Sequence, residues 1–251
     1  MDGVLGIALQ GMQQDLARLE RISANIANAV TPGYRREFVV SQPIGSAAMP
    51  FAAQLDAQTV ASGQASVGTA MSAVSVVSDA RPGTLKQTGQ SLDVAVAGRG
   101  FFEVSTEAGA AYTRQGNFQV DARGRLVTVQ GHAVMGHAGE IVLKTNRPSI
   151  DTNGNVTEEG KQIARLKIVA FDDERMLRRL GDGLMSGGSA TVPLTEGQTS
   201  VRQGYLENSN VSTLTEMTQL IQTARHFETM QRIAQGFDEM TGTAIRRLGE
   251  G

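Results

Sequence analysis

The chain has no cysteine and no tryptophan. Disulfide frameworks, thiolate chemistry and Cys-ligated zinc are therefore excluded, and the redox state of the compartment leaves no mark on the sequence. Aromatic residues are scarce, three Tyr and eight Phe in 251 residues, too few for one large aromatic core. Neither sign of charge dominates, with 23 Lys and Arg against 25 Asp and Glu, so the basis for holding nucleic acid or an anionic surface is missing. No run of eighteen apolar residues occurs, and membrane insertion is not expected. Residues 1–14 lack a basic start followed by an unbroken apolar stretch, so export through a cleaved signal peptide is not expected either.

Sites of chemistry are equally hard to find. His132 and His137 sit in a strand-and-turn region and His226 lies far away, without metal-ligand spacing. Asp151-Thr152-Asn153-Gly154-Asn155 begins like a calcium loop, but Val156 and Gln162 stand where the bend needs Gly and the ion needs a bidentate Glu. A hairpin turn at Asn153-Gly154 is the expectation. Gly98-Arg99-Gly100 lacks the third Gly of a dinucleotide loop and runs into strand-like Phe101-Phe102. Asp172-Asp173-Glu174 reads as a solvated turn. No catalytic group, cofactor, metal or small-molecule substrate is expected, and the chain does not read as an enzyme.

What is present is periodicity at both ends. Leu5, Leu9, Met12, Leu16, Leu19, Ile22 and Ile26 recur at spacings of four and three, the stripe of an amphipathic helix. That helix should end near Asn28, because Thr31-Pro32-Gly33 follows. At about 1.5 Å per residue it would be about 40 Å long. Leu214, Met217, Ile221, Ala224, Phe227, Ile233, Phe237, Met240, Ala244 and Leu248 mark a second, longer helix. Its start carries a candidate capping box, in which Thr213 accepts from the Glu216 amide and the Glu216 carboxylate reaches back.

Between the helices the period changes to two. Residues 92–96, 118–120, 126–129 and 166–171 alternate or are β-branched, and Gly-rich or Asn-Gly turns bound them, including Asp121-Ala122-Arg123-Gly124 and Gly187-Gly188. The strand signals run over residues 85–206. The expected fold class is α+β: residues 1–34 and 211–251 pair as a coiled-coil-like helical domain around a central, mainly antiparallel β domain of residues 85–210. Residues 35–84 are expected to be extended. Within them, residues 41–80 hold two charges, Asp56 and Asp79, with ten Ala and seven Ser, and read either as a linker or as an arm ordered by neighbouring subunits.

Three blocks resemble the flagellar rod and hook family. Asn25, Asn28, Thr31, Pro32, Gly33 and Tyr34 fall in Ile22-Ser23-Ala24-Asn25-Ile26-Ala27-Asn28-Ala29-Val30-Thr31-Pro32-Gly33-Tyr34, similar to that family's helix running into "ANxxTPGY". Val30 departs from its usual small polar residue. The two asparagines, one turn apart, are expected on a polar flank, and Thr-Pro-Gly-Tyr is expected to throw the chain outward. Residues 92–102 with 112–118 resemble the central β module. Gly204-Tyr205-Leu206-Glu207-Asn208-Ser209-Asn210-Val211 before Glu216-Met217 is similar to the entry into the last helix. Ala224-Arg225-His226-Phe227-Glu228 is closer to the proximal-rod branch than to the distal one.

The resemblance implies a structural rod subunit. Its terminal helices would line an inner tube, its β domain would form an outer layer, and it would leave the cell through the type III export apparatus to join copies of itself and other rod subunits in the basal body. A distal-rod or hook-type subunit is the near alternative. An extracellular β-domain binding protein or adhesin is the distant one, and exposed aromatics on one β face would favour it.

Overall fold

In a computed structural model of the chain the described residues are 2–43, 72–174, 177–187, 191–192 and 199–249. Helix α1 is Asp2–Ala27 and helix α2 is Thr213–Gly249, close to the ends that the periodicity set. No helix among the described residues is long and apolar enough to cross a membrane. The rest is antiparallel β structure, so the class is α+β.

Two compact units separate. One comprises the described parts of Met1–Ile22, Phe38–Val76 and Thr218–Gly251; the other comprises those of Ser23–Glu37 and Val77–Met217. Glu37–Pro43 and Ser72–Ser78 pair as a two-stranded sheet whose residues fall in the first unit except Glu37, Val77 and Ser78. Sequence periodicity had left both strands unrecognised. Residues 44–71 of the expected linker lie outside the described residues.

In the second unit Phe101–Thr106 is the central strand of the largest sheet. Gly109–Thr113 lies on one side, with Leu184–Ser186 and Arg178–Gly181 beyond it; Ala133–Gly136, Leu126–Val127 and Gln119–Val120 follow on the other. Its period of two sends consecutive residues to opposite faces. Phe102 and Val104 join the main core with Val94, Phe118, Leu126, Val134, Ile141 and Val156. Phe101 joins a smaller cluster with Phe171, Leu177 and Met185. The few aromatics are spent in edge-on pairs, Phe102 with Phe118 at 5.1 Å and Phe101 with Phe171 at 5.9 Å.

The expected Asn153-Gly154 hairpin is present between Ser149–Ile150 and Asn155–Glu158. Asp151 closes it by accepting from the Asn153 and Asn155 amides at 2.8 and 2.9 Å. Gly116 is required by close approach, since a Cβ there would stand 1.6 Å from the Val94 carbonyl oxygen. Two short pairings then bring the chain back toward its start. Thr199–Gln203 runs along Val94–Gly98, with Val201 opposite Val96, and Tyr205–Glu207 runs along Leu85–Gln87, with Glu207 opposite Leu85.

Candidate functional site

The blocks quoted from the two chain ends meet in one buried polar cluster. Asn25 is fully buried and uses all four of its hydrogen-bonding positions. Its Nδ2 donates to the Glu37 carbonyl at 2.7 Å and to Glu216 Oε2 at 3.0 Å. Its Oδ1 accepts from the Tyr34 hydroxyl at 3.1 Å and the Glu37 amide at 2.9 Å. The orientation of the carboxamide is fixed, because both partners of the nitrogen can only accept there. Asn25 is thus no member of a polar flank: its position faces inward, where an amide side chain survives only if every valence is filled.

The segment after α1 also departs from expectation. It folds back instead of running outward. Asn28 donates to the Ala24 carbonyl at 2.9 Å and accepts from the Thr31 hydroxyl at 3.1 Å, closing the helix end. Gly33 takes φ +67° and donates to the Glu207 carbonyl at 2.7 Å; a Cβ on it would stand 2.5 Å from the Arg114 carbonyl carbon. This turn carries Tyr34 back under Asn25, 3% exposed, with the Arg179 guanidinium 4.1 Å over its ring.

Three carboxylates and four arginines complete the cluster. Glu216 is held by Asn25 and by Arg36 Nε at 2.5 Å. Its amide donates to the Ser212 carbonyl at 3.0 Å. The expected capping box with Thr213 is therefore not formed: the carboxylate of Glu216 is drawn into the tertiary cluster, and exposed Thr213 merely opens the helix. Glu207 is buried between Arg35 at 3.3 Å and Arg114 at 3.2 Å, and it also accepts from the Gly83 amide at 2.9 Å. Arg114 further donates to the Val96 and Gly98 carbonyls at 3.1 and 2.8 Å. Burial pushes its guanidinium below the usual arginine range, with Glu207 opposing that shift. Arg179 pairs with Glu37 at 2.9 Å and donates to the Arg35 carbonyl at 3.0 Å. Asn210 accepts from the Arg36 amide at 2.6 Å and donates to the Arg81 carbonyl at 2.8 Å, while Ser209 accepts from the Val211 amide at 3.2 Å.

Sequence reasoning singled out the asparagines and the Thr-Pro-Gly-Tyr turn but passed over Arg35, Arg36, Glu37, Arg114 and Arg179. The available signal was a charged triplet directly behind a tight turn. In the other unit it passed over Asp15 and weighed His226 only as a metal ligand and as part of a family run; the Asp15 carboxylate oxygen and His226 Nδ1 are 2.5 Å apart.

The helix stripes divide. On α1, Ile22 is buried and Leu5, Met12, Leu19 and Ile26 are half-buried, whereas Leu9 and Leu16 are exposed. The fully buried seam is Ala8, Asp15 and Ile22, at intervals of seven. On α2, Phe227 and Phe237 are half-buried, but Leu214, Met217, Ile221, Ile233 and Met240 are between 44% and 78% exposed. Ala244 and Leu248 lie outside the described side chains. An apolar arc wider than one facing helix can cover leaves part of itself to solvent. Among the described residues no cluster of three or more potential metal ligands exists.

The matched segments coincide with this geometry. Residues 5–35 match the family "Flagella basal body rod protein", residues 95–158 the "Flagellar hook protein FlgE/F/G D1 domain", and residues 202–247 the "Flagellar basal body rod FlgEFG protein C-terminal". The flagellar basal-body rod protein FlgF of Caulobacter vibrioides is 30% identical over 253 residues, covering 100% of this chain and 99% of the relative. The chain belongs to the flagellar basal-body rod protein family. FlgG of Agrobacterium fabrum is 33% identical, covering 97% of this chain and 98% of its own length, and FlgF of Escherichia coli is 29% identical, covering 99% of both. Family likeness thus spans both rod branches. Asn25, Tyr34, Arg35, Glu207, Asn210 and Glu216 of the cluster lie in the two terminal matches and Arg114 in the middle one, whereas Arg36, Glu37 and Arg179 lie outside all three.

Proposed function

We propose that the chain is a structural subunit of the bacterial flagellar basal-body rod, polymerising through its terminal helices into a tube that transmits torque and encloses the export channel. The observation that carries this reading is the apolar surface left on the helices, Leu9 and Leu16 on α1 and Leu214, Met217, Ile221, Ile233 and Met240 on α2, in a chain whose relatives are named rod proteins. Exposed apolar stripes of this kind mark surfaces that other subunits cover. The buried cluster is suited to a junction that carries torque, because it ties the segment after α1 to the start of α2 by ion pairs and hydrogen bonds that exclude water.

Its partners are then copies of itself and other rod subunits, its route the flagellar type III export apparatus, and its place the periplasm-spanning rod. The chain works without a catalytic step. The run Ala224-Arg225-His226-Phe227-Glu228 favours the proximal rod. The experiment is incorporation: Leu16→Asp and Ile221→Asp subunits, secreted normally and with an intact β-type spectrum, are expected to be absent from isolated rods. Normal incorporation of both would refute the reading. Motility of a strain lacking the chain, restored by a proximal-rod relative and not by a distal one, tests the branch.

A further inference from the structure

Asp15 is the charged member of the buried seam of α1, set between Ala8 and Ile22 and 2% exposed. A carboxylate so placed is costly unless it is partnered. Its Oδ2 lies 2.5 Å from Nδ1 of His226 on α2, and half-exposed Arg18 reaches its other oxygen only at 3.8 Å. One turn back along α1 there is no side chain at Gly11, and Met230 fills the space, its side-chain atoms 3.6 Å from where a Cβ would stand. The two contacts are four residues apart on each helix and step in opposite directions, so α1 and α2 run antiparallel in one defined alignment.

The geometry points to a register lock: Asp15 and His226 select this alignment of α1 and α2 over those displaced by a turn. Apolar packing selects it poorly. Along α2, residues 217, 220, 221, 224, 227, 230, 233, 234 and 237 are all apolar, so a slide of one turn still sets apolar residues against the α1 stripe. The buried carboxylate discriminates. A slide of three or four residues in either direction places Asp15 opposite Thr223, Gln222, Thr229 or Met230, and a slide of seven places it opposite Gln219 or Ile233. Met230 and Ile233 offer the carboxylate no donor, and the other four offer only a hydroxyl or an amide in place of the imidazole. A slipped alignment therefore gives up the 2.5 Å contact and leaves the buried carboxylate less well partnered. A single polar pair in an apolar seam that specifies alignment is a known use of buried polarity. Gly11 adds a steric term, because Met230 loses its notch when the helices slide.

The chain has no cysteine, so engineered pairs report the alignment without background. In the full-length chain, Gly11→Cys with Met230→Cys reports the native alignment. Gly11→Cys with Ala234→Cys reports a slide of one turn, and Leu19→Cys with Thr218→Cys reports a slide in the other direction. Each pair is placed in the natural background and in Asp15→Leu/His226→Leu, and intramolecular disulfide yield is read under mild oxidation at high dilution. The expected result is that only the native pair closes in the natural background, and that a slipped pair closes at least about tenfold more in the double variant while its helical circular-dichroism signal is kept. Exclusive closure of the native pair in the double variant would overturn the proposal. So would collapse of the helical signal there, which would make the pair a simple stabiliser.

Discussion

Asn25 and Glu216 are 191 positions apart in the chain and joined by a buried hydrogen bond of 3.0 Å. Through it the last turn of α1 and the first turn of α2 share one polar core. Replacing Asn25 by Ala leaves the Tyr34 hydroxyl, the Glu37 amide and Glu216 each short of a partner. At about 1–3 kcal/mol per buried group left unsatisfied, the expected loss is about 3–5 kcal/mol, read as a lowered denaturant midpoint. Asn25→Asp sets a second carboxylate against Glu216 and is expected to be at least as damaging at pH 7. A loss under about 1 kcal/mol for both variants would contradict the network.

Gly33 holds the turn that brings Tyr34 back. Any side chain at φ +67° is strained, and a Cβ would collide with the Arg114 backbone at 2.5 Å. Gly33→Ala is therefore expected to cost more than about 2 kcal/mol and to raise Tyr34 exposure, visible as stronger quenching of tyrosine fluorescence by acrylamide. Gly89→Ala, also at positive φ (+73°) but with open space around it, is the control and should cost clearly less.

Glu207 sits between Arg35 and Arg114, all three nearly fully buried. Truncating it strands two guanidinium groups, so Glu207→Ala is expected to destabilise by about 3–5 kcal/mol. The same reasoning bears on where the β domain can be cut. A fragment of residues 85–206 ends one position before Glu207 and omits Arg35. It is expected to melt well below a fragment of residues 77–217 supplied with residues 23–37. Equal transition temperatures for the two would show that the cluster does not support the β domain.

Acid should weaken the β unit through its turns. Hydrogen bonds from the Arg125 backbone and side chain and from the Arg123 amide hold Asp121 below the usual carboxylate range. For Asp151 and Glu158, desolvation works upward but is outweighed by hydrogen bonds from Asn153 and Asn155 and from Lys144 and Thr145 respectively. A depressed carboxylate contributes stability that is present above its unfolded value, near about 4, and is lost as pH falls through the folded value. The unfolding midpoint is therefore expected to hold from about pH 7 to 5 and to fall below about pH 4. Asp121→Asn should flatten that fall. A midpoint unchanged at pH 3 would exclude the assignment.

How much of this was legible in advance can be judged residue by residue. The spacing of Leu5 through Ile26 and of Leu214 through Leu248 set both helices to within three residues of their ends. Asn153-Gly154 set a hairpin. Periodicity and turn chemistry are properties of a few consecutive residues, and they survive without knowledge of the rest of the chain. The strands Glu37–Pro43 and Ser72–Ser78 were missed because they are defined by each other, across a long separation, in a stretch with no clean alternation of its own.

The sequence by itself therefore determined the kinds of element, their order, and the terminal motifs that place the chain in its family. The tertiary structure decided which stripe residues are covered, that Asn25 faces inward, that Glu216 serves Asn25 and Arg36 in place of its own helix cap, and that Asp15 meets His226. Those are choices of partner. A polar side chain in a sequence carries its capacity to bond but not the identity of the group that fills it, and only burial, by removing water as the alternative, makes that identity decisive.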